Sequence, residues 1–116
     1  MIEQWISEIK RQCPPESLGM ILVHNGIVRA TSKQGASVGG MKLSYHHEAL
    51  DQAVSRFKSR EGIVDIRCWI NEGRLSVGDD IMKVCVAGRF RTDILPVFQE
   101  LLTLIKTEIV HEEETS

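Results

Sequence analysis

The sequence predicts an α+β domain in which amphipathic helices pack on a largely antiparallel sheet. Three stretches repeat apolar residues at helical spacing: 2 to 11, Glu48 to Arg60 and Ile94 to Lys106. Two short runs, Met41 to Tyr45 and Val64 to Ile70, alternate apolar and polar residues as half-buried strands do. The two kinds of segment interleave as helix, strand, strand, helix, strand, strand, helix, followed by an acidic end.

In the first helix, Ile2, Trp5, Ile6 and Ile9 fall at i, i+3, i+4 and i+7, and Cys13-Pro14-Pro15 stops it. Gly19 to Arg29 reads as a strand with a bulge or bend at His24-Asn25-Gly26. Residues 30 to 40 are small, polar and Gly-rich, without a phosphate-loop or dinucleotide-binding glycine pattern, and read as a loop. Gly35 to Gly40 would let the next strand, Met41 to Tyr45, pair back onto the first. The second helix places Leu50, Ala53, Val54 and Phe57 on one face and closes at Gly62. Val64, Ile66, Cys68 and Ile70 then alternate with Asp65, Arg67 and Trp69, a strand with one wet face.

The stretch from Gly73 to Lys106 organises the rest. Gly78-Asp79 favours a turn, and the β-branched run Ile81 to Ala87 reads as a buried strand ending at Gly88. Arg89, Phe90 and Arg91 form a basic corner before a helix capped by Thr92 or Asp93, which leaves Pro96 in the first turn, where its missing N–H breaks no bond. A strand-to-helix corner of this kind also favours an anion.

A chain of 116 residues with 42% hydrophobic and 26% charged residues suits one core. The expected organisation is a single domain over 1–107 and an acidic C-terminal tail over 108–116. No apolar run approaches the roughly 20 residues that span a bilayer, and the first ten residues form no signal-peptide core, so no membrane association and a cytoplasmic location are expected. Cys13, Cys68 and Cys85 are odd in number and widely spaced, which fits reduced thiols rather than a disulfide framework or zinc site.

The formal charge of −2 conceals an asymmetry, because four of the 16 acidic residues follow Lys106. Residues 1–106 carry 14 basic and 12 acidic groups, a net of +2. That is too small for a nucleic-acid footprint and leaves room for a small anion. His46 and His47, as neighbours on a strand, point to opposite faces and cannot chelate one ion, and His24 and His111 have no partner at metal-ligand spacing. No serine lies in a nucleophile elbow, and no cysteine has a histidine nearby in sequence. What remains is a set of cations at element ends: Arg29, Arg89, Arg91 and Lys106. A solvated basic edge and an anion pocket both fit these residues.

Three pieces together resemble the catalytic (large) subunit family of molybdopterin synthase. Gly26-Ile27-Val28-Arg29 is similar to that family's Gly-x-Val-Arg strand end, and Gly73 to Asp79 to its Gly-x-Leu-x-x-Gly-(Asp/Glu) turn. Val84 to Lys106 is similar to its strand, basic corner and helix ending in lysine. The resemblance implies an α/β hammerhead-like fold, usually a homodimer, that receives the Gly-Gly tail of a small ubiquitin-like sulfur-carrier subunit. It implies transfer of sulfur from the carrier's thiocarboxylate to cyclic pyranopterin monophosphate, with no metal or nucleotide cofactor. By position, Lys106 would be the catalytic acid/base, and Arg29, Arg91 and Arg89 would bind substrate phosphate or the carrier terminus.

Three departures accompany the resemblance. Phe90 stands where the family has histidine, Glu113 stands at the position of a second active-site lysine, and a C-terminally shortened member, ending at Ser116, is expected. An acid inside an anion pocket repels phosphate by roughly 1–4 kcal/mol depending on burial. Two readings follow: a sulfurtransferase with a partly degraded active site, or a non-catalytic binding module that keeps the fold and the carrier-tail groove.

Overall fold

The central strand of the main sheet is apolar on both faces, and the computed structural model, which describes residues 1–116, shows what covers each. This strand, β5 (Asp80–Gly88), lies between β1 (Met20–Ile27) and β3 (Ile63–Ile70), antiparallel to both. Val84 and Val86 point into the main core, towards helices α2 (His47–Lys58) and α3 (Arg91–Leu104). Cys85 and Ala87 point the other way, against Ile9 of helix α1 (Ile2–Gln12). Helices on both sides explain why β3 lacks the single wet face expected of it: its residues are all buried or half-buried. The outer clamp on α1 is ionic, since Arg67 of β3 donates hydrogen bonds to Glu8 and Gln12 of α1 and to Asp65.

A second antiparallel sheet has the order β4 (Gly73–Ser76), β2 (Gly40–Tyr45), β6 (Val110–Thr115). Its inner face adds Met41, Leu43 and Leu75 to the same core that holds Val84 and Ile94, so both sheets share one interior. The fold is α+β and hammerhead-like, 49 Å long and about half as wide.

Several local expectations are corrected. β2 does not pair with β1. The Val28 N–H donates to the Asp79 carbonyl and the Gly78 N–H to the Val28 carbonyl, which ties the end of β1 to the turn before β5. Residues 30–38 then fold back on themselves through a Thr31–Ser37 bridge around Gly35, at φ +86°. The chain thus enters β2 beside β4 rather than along β1. The turn region Gly73–Ser76 is itself a strand, and the stretch expected as an acidic tail is the edge strand β6.

The α3 entry also differs. The first turn closes on the Phe90 carbonyl, which accepts from the N–H groups of Asp93 and Ile94, and Phe90 occupies the cap position with no side-chain cap bond. The helix therefore starts at Arg91 and Pro96 falls in its second turn. Its missing N–H leaves the Thr92 carbonyl without its helical donor, and Thr92 and Pro96 are both exposed to water. The bend from β5 into α3 needs glycine at 88: a Cβ there would lie 2.2 Å from the Gly62 carbonyl oxygen.

Candidate functional site

Arg29 and Lys106 are 77 positions apart in the sequence, and the fold brings both to the wall of one cavity of about 630 Å³. Arg29 arrives because β1 ends one residue before the buried anchor Val28, which turns the next side chain out of the core. Its Nε donates to the Thr31 carbonyl at 2.9 Å, and this fixes the guanidinium while leaving its terminal nitrogens available.

Lys106 is placed by a change of helix type. After α3 the chain makes one π-turn, Ile105–Ile109, in which the Val110 N–H donates to the Ile105 carbonyl. Ile105 and Ile109 anchor the turn in the core at 0% and 5% exposure, and the Ile109 carbonyl accepts from the His46 N–H at the start of α2. Lys106 is held exposed between these anchors. Wide turns of this sort recur at functional positions.

The cavity also contains three charged residues outside the set of cations expected from the sequence. Lys33 comes from the loop between β1 and β2, and Glu112 and Glu114 come from β6. The β6 register pairs Leu43 with Glu112 and Met41 with Glu114, so both carboxylates share the inner side of the sheet. Met41, Ile27 and Ile81 supply the apolar lining. No carboxylate lies within 4.0 Å of the charged atoms of Arg29, Lys33 or Lys106.

Glu113 pairs with Lys42 on the opposite side of β6. It borders a separate 260 Å³ hollow with Lys42, Arg74 and His111 on the outer face of the second sheet. Glu113 thus points away from the Arg29 and Lys106 cavity, and its two neighbours, Glu112 and Glu114, point in. Strand alternation is the signal for this, but it becomes usable only once 110–115 is known to be a strand.

The basic corner is elsewhere. Arg89 and Arg91 do not line the cavity. Arg89 donates from Nε to Asp93 at 2.8 Å and from a terminal nitrogen to Glu61 at 3.3 Å, and its guanidinium lies 5.3 Å from the Phe90 ring centre. The bond to Asp93 is the main reason its pKa is raised, with Glu61 adding to it. Arg91 is exposed at the start of α3 and makes no ion pair.

The histidine pair has structural work. His46 caps α2 by accepting the Ala49 N–H at Nδ1, 3.0 Å away. His47 stacks on Tyr45 at 4.1 Å, with Nε2 3.1 Å from Glu72. No group of three metal-ligating side chains converges anywhere in the molecule. Burial pushes the Cys68 thiol up to about 12 and the Cys85 thiol up to about 11, and burial also raises Cys13, so all three are thiols rather than thiolates at neutral pH. None lines the cavity.

A family model described as MoaE protein matches residues 2–108. The fold is similar to solved structures of a molybdopterin synthase from Staphylococcus aureus, at 18% identity and a TM-score of 0.78 over 98% of this chain and 83% of that one. It is similar to a molybdopterin biosynthesis MoaE protein from Burkholderia ambifaria, at 20% identity and a TM-score of 0.77 over 99% of this chain and 82% of that one. A third similar structure is a protein–protein complex of subunits 1 and 2 of the molybdopterin-converting factor from Helicobacter pylori, at 14% identity and a TM-score of 0.75 over 97% and 74%. No curated protein matches the chain.

Proposed function

The chain belongs to the MoaE protein family, and from that premise we propose that it is the large subunit of a molybdopterin synthase-type sulfurtransferase in molybdenum cofactor biosynthesis. One observation carries the proposal. Arg29 and Lys106, two of the four residues to which the sequence resemblance gives a role, meet in one cavity with their charges uncommitted. Its volume of about 630 Å³ lies within the roughly 300–1,000 Å³ usual for small-ligand sites.

The substrate is cyclic pyranopterin monophosphate, and the sulfur donor is the C-terminal thiocarboxylate of a small ubiquitin-like carrier ending in Gly-Gly. Both bring negative charge, and Arg29 with Lys33 supplies the counter-charge that lets them approach. Lys106 exchanges the proton as the carrier sulfur bonds to a side-chain carbon of the pterin and the C–O bond from that carbon to the cyclic phosphate opens; water then cleaves the carrier's acyl–sulfur bond, so the carrier leaves as its carboxylate and the sulfur stays on the pterin. The sulfur has to arrive from outside, since no cysteine of this chain lines the cavity and burial holds Cys68 and Cys85 as thiols. The Helicobacter pylori complex of subunits 1 and 2 supports a small partner subunit of this kind. In a homodimer, Arg91, which stands off its own cavity, is free to serve the neighbouring one.

A single-turnover reaction tests the proposal: this protein is mixed with thiocarboxylated carrier and cyclic pyranopterin monophosphate, and molybdopterin is followed directly. Dithiolene formation that disappears in Lys106→Ala is the expected result; full activity in that variant overturns the assignment. A second reading, a binding module without catalysis, is favoured by Glu112 and Glu114 on the cavity wall and by Phe90 at the usual histidine position. Carrier binding with no product selects it.

A further inference from the structure

The cavity wall carries both signs of charge: Arg29, Lys33 and Lys106 are cationic and Glu112 and Glu114 anionic, with no ion pair joining them. If the cavity received only anions, two carboxylates on its wall would be a defect, because each repels phosphate. Their placement is nevertheless firm. They stand on a strand paired residue by residue with β2 from Gly40 to Tyr45, and strand alternation sends both inward while Glu113 goes out to Lys42. Both also lie beyond residues 2–108 matched by the family model.

A ligand that satisfies both sets of charges carries an anion and hydrogen-bond donors. The pterin named above has that polarity. Its 2-amino-4-oxopyrimidine ring presents the 2-amino N–H and the ring N3–H side by side, parallel and about as far apart as the two oxygens of a carboxylate. A carboxylate takes such a pair with two charge-assisted bonds, as it takes an arginine fork.

We propose that Glu112 and Glu114 set the specificity of this cavity by accepting the paired N–H groups of the pterin's aminopyrimidinone edge, while Arg29 and Lys33 hold its phosphate. The inference rests on the pterin reading of the same site. It adds that the acids select the ring and reject bare anions, so that phosphate alone is a poor competitor.

The test is binding, with probes that separate ring from phosphate. The full chain is titrated with 6-hydroxymethylpterin phosphate, with the lumazine counterpart in which a carbonyl replaces the 2-amino group, and with inorganic phosphate. Wild type should prefer the pterin over the lumazine by about tenfold or more, the size expected for one lost charge-assisted hydrogen bond. In the double variant Glu112→Gln, Glu114→Gln the preference should fall to within about twofold, and inorganic phosphate should bind more tightly because the repulsion is gone. Both positions are exposed, so the substitutions spare the core. A pterin preference that survives in the variant, or a wild type that binds both rings equally, overturns the role of the acids and leaves the pterin reading standing. Binding of inorganic phosphate but of neither ring overturns the pterin reading itself, and the role of the acids with it.

Discussion

Two pairs of cations look alike in the sequence and differ in the fold. Arg29 and Lys106 stand at the ends of unrelated elements, meet across a cavity and have no acidic partner within ion-pair distance. Arg89 and Arg91 stand two residues apart at a strand-to-helix corner of the sort that attracts anions, yet Arg89 is bound by Asp93 and Glu61 and neither lines the cavity. The difference teaches that an arginine's availability is set by which carboxylates the fold brings to it. At the corner the helix supplies its own acid one turn on, and the anion site is filled from within. At the cavity the nearest acids are held on a separate strand, which leaves the cations for a ligand.

The sharpest test of this contrast is Lys106→Ala. Sulfur transfer in single turnover should fall by roughly 10²–10⁴-fold, the range for a lost general acid/base. The far-ultraviolet spectrum should be unchanged, since Lys106 is exposed and its turn is held by Ile105 and Ile109. Next is Arg29→Ala, which removes one guanidinium from the cavity wall and should weaken binding of the pterin phosphate by about 10- to 100-fold in a direct titration. An effect below about twofold would leave Arg29 as a structural tie to the Thr31 carbonyl and nothing more.

A smaller effect should appear with pH. His24 of β1 sits edge-on to Phe98 of α3, 6.4 Å between ring centres, and burial lowers its pKa from the usual value of 6.5. The unfolded chain therefore binds this proton more readily than the folded one, and stability is lost as pH falls below about 6.5 towards the lowered folded value. Thermal melts at pH 7 and pH 5 should show a drop that shrinks in His24→Gln. The smallest effect is expected at the corner. Arg89→Ala should leave pterin phosphate affinity within about twofold of wild type, because its charge is already committed, and should lower the melting temperature slightly. A large loss of affinity there would erase the contrast between the two cationic pairs.

Much of the local structure was legible in the residues. The helical periodicities over 2–11, 48–60 and 94–106 mark α1, α2 and α3, although α2 ends at Lys58 and α3 runs from Arg91 to Leu104, and the apolar runs over 19–29, 64–70 and 81–87 mark β1, β3 and β5. The bulge near His24-Asn25-Gly26 is there as a register shift after Gly26. The start of α3 differs from the expected cap because Thr92 and Asp93 are both good caps by residue type, whereas Asp93 is engaged by Arg89 and the first turn closes on Phe90 instead. The acidic stretch differs for another reason. His111 to Thr115 has no apolar alternation of its own and becomes a strand only because β2 offers it an edge with Met41 and Leu43 already buried.

The sequence by itself determined the class of fold, the positions of its helices and main strands, and the four cations Arg29, Arg89, Arg91 and Lys106 as the residues to watch, because each depends on local periodicity or on a short motif. Only the tertiary structure decided that β2 pairs with β4 and β6, that Glu113 faces out while Glu112 and Glu114 face the cavity, and that Arg89 is taken by Asp93 and Glu61. Strand partners and ion-pair partners are chosen by competition among groups far apart in the chain, and that competition is resolved only when the core closes and fixes which of them can reach one another.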